Sequence, residues 1–336
     1  MTTPAPVPRF FLLDEGGLDP AAADAVLDGC ALARADVALV DVRGPGAVGC
    51  LQGILTNDLE RPGERAFVYG AVLTPRGMIL TDLWAVRDGA GGVTLVVPAE
   101  GQAALDAVLT RTLPPRLARV TARADTSVLR LVGPLALEVA ARAGLVVPEA
   151  GHSAAADGAD RPALVARPRS GGPFALELHV ASTRAQALEQ RLAAAGAVPA
   201  QPQALELARV LAGWPRLGAE IDEKSLPQEV RYDELDGVSY TKGCYTGQET
   251  VARIHFRGHV NRVLSGVIWQ ELPDFSSPTI MQQGHDVGRI TSAAWLAPLE
   301  HFVGLAKVRR DVDRARAVIA GNVPARLVEL PFDHEA

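Results

Sequence analysis

A lysine and a cysteine in the C-terminal half of the chain are separated by a single glycine. They are Lys242 and Cys244, in a chain of 336 residues that has only three lysines and three cysteines. A neighbouring ammonium favours the thiolate form of a cysteine, and an adjacent glycine such as Gly243 lets backbone amides approach the sulfur. The spacing therefore predicts a reactive thiol at Cys244, with Lys242 as its cationic neighbour.

The residues after the thiol extend this motif. Gly247, Gln248 and Glu249 are predicted to begin a helix, whose positive N-terminal end would lower the pKa of Cys244 further. The alternative is that Cys244 is only a small residue in a tight turn. Cys30 and Cys50 lie in Ala- and Leu-rich runs of helical type, where a cysteine usually behaves as a small hydrophobic residue.

Composition sets limits on the class of protein. Hydrophobic residues make up 48% and charged residues 21% of the chain, as in ordinary globular proteins of more than one packed unit. The net charge of −6 argues against a surface devoted wholly to phosphate binding, but it allows a local basic patch. Without a long apolar run or a secretory signal, we expect a cytoplasmic protein with no membrane segment. The cysteine spacing predicts neither a disulfide framework nor a stably bound metal.

Apolar periodicity predicts an α+β fold followed by an all-β module. Residues 66–73 and 78–86 are predicted to form a β-hairpin, and residues 149–162 a flexible insertion. Beyond residue 260, short apolar runs are broken by Gly and Pro, which is typical of a small barrel. The proposed domains are therefore 1–259 and 260–336. Further strands are predicted at 9–13, 37–42, 93–97, 127–132, 163–167 and 174–180, and further helices at 19–34, 48–59, 100–111, 134–143, 183–194 and 203–212.

The string KGCYTGQE, which includes Tyr245, resembles the signature of the YgfZ-type folate-binding family. This family is related to the glycine cleavage T-protein and to mitochondrial iron-sulfur assembly factors. The resemblance covers nearly the whole chain, and its other landmarks are CLQGILTNDL at 50–59, LTPRGMILTDL at 73–83, LARVLAGWPRLGAEIDEKSLPQE at 207–229 and GRITSAAWLAPLEHFVGLAKVRRD at 288–311.

The resemblance implies a T-protein-like ring of two ferredoxin-like α+β units plus a C-terminal β-barrel, with a central folate pocket. The implied cofactor is tetrahydrofolate or a related folate. Residues carried over as pocket candidates are Asn57, Asp58, Asp82 and Arg209.

Two departures from the family pattern concern this pocket. T-protein has an Asp-Asp pair where this chain has Thr81 and Asp82, and a hydroxyl cannot replace the missing carboxylate in aminomethyl transfer. Two pocket aromatics of bacterial YgfZ align with Val37 and Leu205. Trp84 and Trp214 are candidates to replace those stacking contacts, but each is more simply explained as a core aromatic.

Three functional hypotheses follow. The first is a folate-binding accessory protein for iron-sulfur cluster assembly or repair, acting through client enzymes in tRNA modification, with Cys244 as the key thiol. Its partners would be iron-sulfur client or assembly proteins, and it would not be a classical enzyme. The second is a tetrahydrofolate-dependent aminomethyltransferase that uses Asp82. The third is a non-catalytic binding module.

A basic run follows the motif, with arginine or histidine at residues 253, 255, 257, 259 and 262. If the run is extended, the four odd positions from 253 to 259 share one face, opposite Ile254 and Phe256. If it is helical, Arg253 and Arg257 still align on one face. The preferred interpretation is an ordinary solvated face. The alternative is transient contact with a polyanion such as tRNA.

Overall fold

The computed structural model describes residues 19–155, 164–169, 171–296 and 301–332. These residues form two α+β units, a closed barrel and the helices between them, which confirms the predicted T-protein-like fold class. The predicted strand at 9–13 lies outside the described residues. Within the described part, no helix is both long and apolar enough to cross a membrane.

The first unit is a five-stranded antiparallel sheet with order β3-β4-β5-β2-β6. Helices α2 and α3 cover one face of it, and Leu51, Leu95 and Leu105 in the resulting core are fully buried. The predicted hairpin is confirmed as β3 and β4. The elements are β2 Val37–Arg43, α2 Ala47–Gln52, β3 Phe67–Leu73, β4 Ile79–Arg87, β5 Val93–Pro98, α3 Gln102–Thr112 and β6 Arg119–Ala122, with a 3₁₀ turn at Ala99–Gly101.

The second unit is a six-stranded sheet with order β11-β1-β7-β10-β9-β8, packed against α4 and α5. Its elements are α1 Pro20–Leu27, β1 Ala31–Arg34, β7 Thr126–Val132, α4 Ala136–Arg142, β8 His152–Ala155, β9 Leu164–Arg167, β10 Leu176–Ala181, a 3₁₀ turn at Ser182–Arg184, α5 Ala185–Ala194 and β11 Val198–Pro199.

Two sequence predictions fail in this unit. The predicted helix at 19–34 is α1 followed by β1, because small residues buried on both sides of β1 leave no alternation to mark a strand. The predicted insertion at 149–162 contains β8, which pairs with β9 in antiparallel register. The remaining residues of that insertion, 156–162, lie outside the described residues.

The third part is a closed barrel with strand order β12-β15-β14-β13-β16-β17, as predicted for the C-terminal region. Its strands are β12 Arg262–Trp269, β13 Thr279–Gln282, β14 His285–Leu296, β15 His301–Arg309, β16 Val318–Ala320 and β17 Val323–Val328. Trp269 is fully buried in its core. The boundary at 259/260 stays a prediction; it falls in the turn before β12.

Three further elements connect these parts. Helix α6 (Gln203–Leu211) contacts α1 and β7 of the second unit and β14 and β15 of the barrel. A 3₁₀ turn at Pro227–Val230 leads to the motif loop, and α7 (Gln248–Arg257) follows that loop. Helix α6 therefore lies between the second unit and the barrel.

Candidate functional site

A cavity of about 390 Å³ lies between the two α+β units and α6. Its walls are formed by residues that lie far apart in sequence, from Ala35 to Arg216. They come from β2, β4, β5 and β7, from α6 and from the loop after α6. Those that matter chemically are Asp82, Trp84, Arg130, Gln203, Arg209, Trp214 and Arg216.

One wall of the cavity is aromatic. The rings of Trp84 and Trp214 stack with centroids 5.6 Å apart and an interplanar angle of 16°. Phe174 packs against Trp84 at 5.2 Å. Val37 and Leu205, which align with the missing pocket aromatics, also line the cavity. Both tryptophans line the cavity, and both also belong to the buried hydrophobic core, as expected of core aromatics. An apolar wall of this kind suits a planar ring.

Asp82 presents an unpaired oxygen among these rings. Its Oδ2 accepts a hydrogen bond of 3.0 Å from the Tyr69 hydroxyl, whereas its buried Oδ1 has no partner among the described residues. Burial raises the pKa of Asp82 to about 6. A carboxyl group of this kind can accept a ligand N–H or exchange a proton near neutral pH.

Thr81 does not share this position. Neighbouring residues of a strand point to opposite faces, and the Thr81 hydroxyl donates to the Asp82 carbonyl oxygen at 3.0 Å instead of facing the cavity. At the place of the T-protein aspartate pair, the cavity therefore contains one carboxylate, that of Asp82.

Two more lining residues have buried polar atoms without a hydrogen-bond partner in the described part of the chain. They are Gln203, through Oε1, and Arg216, through Nε, which lies 3.7 Å from the Glu206 carboxylate in an ion pair but makes no hydrogen bond. Together with Asp82 Oδ1, they give the wall two acceptors and one N–H donor. Since buried polar groups in proteins are nearly always hydrogen-bonded, this arrangement fits a ligand that carries N–H donors and an acceptor.

Arg209 lines the cavity, but its donors are all used by the protein. Its guanidinium donates to Glu206 and Glu220, to the Trp214 carbonyl and to the Ser292 hydroxyl. Burial alone would lower the pKa of Arg209, but the two carboxylates raise it above its ordinary value. These bonds occupy the five N–H groups of an arginine, so Arg209 supports the wall and has none left for a ligand.

The structure places Asn57 and Asp58 outside the cavity walls. The Asn57 amide donates to the carbonyls of Tyr69 and Asp236, and the Asp58 carboxylate accepts from Gln52 at 2.9 Å. Both residues therefore hold the segment after α2 in place, and their assignment as folate contacts gains nothing from this geometry.

Lys242 belongs to the same cluster as Asn57 and Asp58. It is buried, and its ammonium donates to the carbonyl oxygens of Leu55 and Asn57 at 2.8 and 2.7 Å. Burial lowers the pKa of Lys242 to about 8. Its hydrogen bonds go to these carbonyls and not to Cys244, because they are the buried acceptors within its reach. These bonds make Lys242 a structural tie, and its role as cationic neighbour of the thiol stays a prediction.

Cys244 is exposed. Gly243 beside it is open, with space where a Cβ atom would lie. The next residue, Tyr245, is buried, and its hydroxyl has no hydrogen-bond partner among the described residues. The loop therefore presents its thiol to solvent while the aromatic residue beside it packs inward.

Gly247 fixes the end of the motif loop against the β3–β4 turn. It has φ +84°, and a Cβ atom there would lie 2.6 Å from the Thr74 carbonyl oxygen. Gly77 in that turn has φ +88° and packs against the same loop. Gln248 begins α7 directly after Gly247, which confirms the predicted helix start. Only glycine combines this conformation with such close approach.

Along α7, the remaining candidates are exposed. Glu249 lies in the first turn, and Arg253 and Arg257 lie one turn apart, as predicted. Neither arginine has an ion pair or side-chain hydrogen bond with any other described residue. In the same described part, no group of three or more His, Cys, Asp or Glu residues is arranged to hold a metal ion.

Sequence reasoning missed a buried charged network beside the cavity. Arg130 lines the cavity, pairs with Glu177 at 2.8 Å and lies 4.2 Å above the Phe174 ring. Glu177 also accepts from His179 at 2.8 Å, and both residues are buried. Arg130 and Glu177 are register partners on β7 and β10. Charged residues inside otherwise apolar strands were the signal that could have revealed them.

Several known proteins resemble this chain in sequence. The family model described as GCVT N-terminal domain matches residues 21–235. A relative named tRNA-modifying protein YgfZ, from Serratia proteamaculans, is 30% identical over 274 residues, covering 78% of this chain and 79% of its own. An aminomethyltransferase from Rubrobacter xylanophilus is 28% identical over 315 residues, covering 87% of this chain and 80% of its own.

A solved structure has the same fold over nearly the whole chain. The glycine cleavage system aminomethyltransferase T from Bartonella henselae superposes with a TM-score of 0.79 at 21% identity, covering 94% of this chain and 89% of its own. The family match, the YgfZ relatives and this fold lead to one conclusion. The chain belongs to the glycine cleavage T-protein superfamily, as a YgfZ-type member.

Proposed function

We propose that this protein binds a reduced folate in the central cavity and acts in tRNA modification by supporting iron-sulfur client enzymes, with Cys244 as the working thiol. One observation carries the proposal: the cavity is lined both by Asp82, whose buried Oδ1 has no hydrogen-bond partner among the described residues, and by a stacked tryptophan pair. The name of the YgfZ relatives, tRNA-modifying protein, supports the link to tRNA.

The cavity suits the pterin ring of a folate. A pterin is flat, and its edge carries N–H donors next to acceptors. Trp84 is stacked on both Phe67 and Trp214, so the edge of this stack would contact the ring. Asp82 and Gln203 would accept its N–H groups, and Arg216 would donate to an acceptor. When bound, a reduced folate supplies a carrier for a one-carbon unit.

The charge of Asp82 should control folate affinity. With a pKa of about 6, this carboxyl is mostly ionised at neutral pH and is then a stronger acceptor than its protonated form. Folate affinity should therefore fall as the pH drops below 6.

Calorimetric titration with tetrahydrofolate tests the cavity. Asp82→Asn should weaken binding by about 10- to 150-fold, which corresponds to one hydrogen bond to a charged group. The matched control is Asp106→Asn, which makes the same change at an exposed position on α3 and should bind like the wild type. Equal affinity for all three proteins would refute the folate assignment.

A second experiment tests the thiol. Cys244→Ser should leave folding and tetrahydrofolate affinity unchanged but lower the activity of client iron-sulfur enzymes in cells that lack the natural protein. Cys50→Ser is the control, because Cys50 packs against the core of the first unit. Full client activity with Cys244→Ser would remove the thiol from the proposal.

An aminomethyltransferase is the second candidate. It is favoured by the raised pKa of Asp82, a group that could accept a proton, and by relatives named aminomethyltransferase at 28% identity. Turnover of an aminomethyl donor with tetrahydrofolate, lost in Asp82→Asn, would establish it. Our first proposal expects no turnover in that assay.

A further inference from the structure

We propose that the C-terminal half of α7 and the adjoining cleft at the rim of the barrel bind a single-stranded segment of RNA. The inference deepens the proposed function and rests on it, because that function links the protein to tRNA. It names the surface that would contact the nucleic acid and the chemistry of that contact.

Helix α7 presents an aromatic and basic face to solvent. Val251 is its buried residue, and helical geometry places Arg253, Phe256 and Arg257 on the opposite side. Phe256 is 67% exposed, which is unusual for a phenylalanine in a protein with only 5% aromatic residues. An exposed ring between two arginines combines a stacking surface with phosphate-binding charge.

The Phe256 ring contacts a small cluster of aromatic and acidic residues. His255 meets Phe256 edge-on, with centroids 4.8 Å apart at 88°, and stacks on Tyr240 at 3.7 Å. Asp233 binds both supporting rings, through the His255 Nδ1 at 3.0 Å and through the Tyr240 hydroxyl. Beside these rings Phe256 remains 67% exposed, which leaves an aromatic surface on which a base can stack.

A cleft of about 640 Å³ begins where α7 ends. It is lined by residues 259–262 and 309–311, and its first lining residue, His259, comes two residues after Arg257 in the chain. Arg262 and Arg310 in this cleft have no ion pair or side-chain hydrogen bond with another described residue. The acidic residue that lines this cleft is Asp311, and its carboxylate forms an ion pair with Arg309 at 2.7 Å.

The charge of this surface opposes that of the whole chain. The net charge is −6, yet the face and the cleft together carry four arginines without an acidic partner among the described residues: Arg253, Arg257, Arg262 and Arg310. Glu249, the acidic residue of α7, lies one turn before Arg253. Basic residues around an exposed aromatic ring are the pattern by which proteins bind single-stranded nucleic acid. An acidic protein would use the arginines but would gain little from stacking on Phe256.

Fluorescence anisotropy with a labelled single-stranded RNA tests the proposal. An RNA of about 12 nucleotides is long enough to fill one protein binding module. Changing the four arginines to glutamine should reduce the slope of log affinity against log salt by about 3, near 0.7 for each phosphate that is no longer neutralised. Phe256→Ala should weaken binding by about 5- to 150-fold with little change in slope. Arg184→Gln, an exposed arginine of the second unit, is the matched control and should bind like the wild type.

Two results would overturn the proposal. One is wild-type RNA affinity in both Phe256→Ala and the four-arginine variant. The other is equal competition by a polyglutamate peptide of the same length, which would identify an acidic protein as the partner. Tetrahydrofolate titration of the same variants separates this surface from the cavity, because they should keep folate affinity, whereas Asp82→Asn should lose folate and keep RNA.

Discussion

The cavity and the motif loop differ in the buried polar atoms that lack a hydrogen bond among the described residues: three in the cavity wall and one, the Tyr245 hydroxyl, in the loop. In the cavity, Asp82, Gln203 and Arg216 each keep a buried polar atom without a hydrogen bond to another described residue. In the loop, the buried Lys242 gives its hydrogen bonds to the Leu55 and Asn57 carbonyls, and Cys244 is exposed. The cavity is thus prepared for a ligand, while the loop is held rigid so that one side chain can remain outside.

The difference separates two kinds of functional signal. Rare residue types drew attention to the loop, although its lysine turns out to hold the fold together. Unsatisfied polar atoms identify the cavity, although its residues carry no local motif. Substitutions in the two regions can therefore compare buried polar atoms that lack a hydrogen bond with the Lys242 ammonium, which has two.

Loss of a buried cation should have the largest effect in the cavity wall. Arg209→Met leaves the buried carboxylates of Glu206 and Glu220 without their main partner and should lower the free energy of unfolding by about 3–5 kcal/mol. Lys242→Met should cost only about 1–2 kcal/mol, because two carbonyls lose a donor but no buried charge is left unpaired. Urea denaturation of both variants checks this order, and a larger loss for Lys242→Met would contradict it.

Asp82 should destabilise the fold at neutral pH. Its pKa is raised to about 6 from 3.8, so the folded protein holds a proton that the unfolded chain releases between these values, and wild-type stability falls as the pH rises through this window. Asp82→Asn should therefore unfold with a free energy about 3 kcal/mol higher at pH 7, since each unit of pKa shift is worth about 1.4 kcal/mol.

The pH dependence provides the control for this prediction. The gain should shrink below pH 6 and disappear near pH 3, where the carboxyl is protonated in both states. Denaturant midpoints of wild type and variant across this range measure it. A gain that does not vary with pH would mean that the Asp82 carboxyl is not ionising in the folded protein.

Adding a methyl group should have different effects on the free energy of unfolding at Gly243 and at Gly247. Gly247→Ala should lower the free energy of unfolding by about 1–3 kcal/mol, because φ is positive there and the new Cβ would meet the Thr74 carbonyl. Gly243→Ala is the matched control and should change it by less than about 0.5 kcal/mol, since nothing lies near its Cβ position. Chemical denaturation compares them, and equal losses would place Gly247 in a less constrained loop.

The smallest expected effect on stability is at Cys244. Cys244→Ser should change the free energy of unfolding by less than about 0.5 kcal/mol, because the thiol is exposed. In alkylation followed by mass spectrometry, Cys244 should react first. Cys30 should react only on unfolding, since it is buried and burial raises its pKa to about 11. Comparable rates in the native protein would contradict both assignments.

The sequence predicted those elements whose pattern is local. Alternation located β3 and β4, and the glycine before Gln248 located the start of α7. β1 was missed because Ala31 to Ala33 are buried on both faces, so burial produced no period of two. Asp82 was selected through the family resemblance, and its unpaired oxygen became visible only in three dimensions.

Partners that lie far apart along the chain could not be predicted. Lys242 was singled out by its rarity, but the Leu55 carbonyl that binds it lies 187 residues earlier. Backbone carbonyls have no residue-type signal, so nothing in the sequence linked the two. For the same reason Asn57 and Asp58 were assigned to a pocket, whereas their hydrogen bonds go to the backbone and to Gln52.

The Ser292 hydroxyl on β14 gives the barrel a role in a cavity that it does not line. The lining residues fall between 35 and 216, yet Ser292 accepts from Arg209 and donates to Glu220, both at 2.7 Å. A shift of the barrel would therefore be transmitted to α6 through the hydrogen bond between Ser292 and Arg209, and it would alter the width of the cavity. Binding of a large partner at the barrel could in this way regulate how tightly a small molecule is held some distance away.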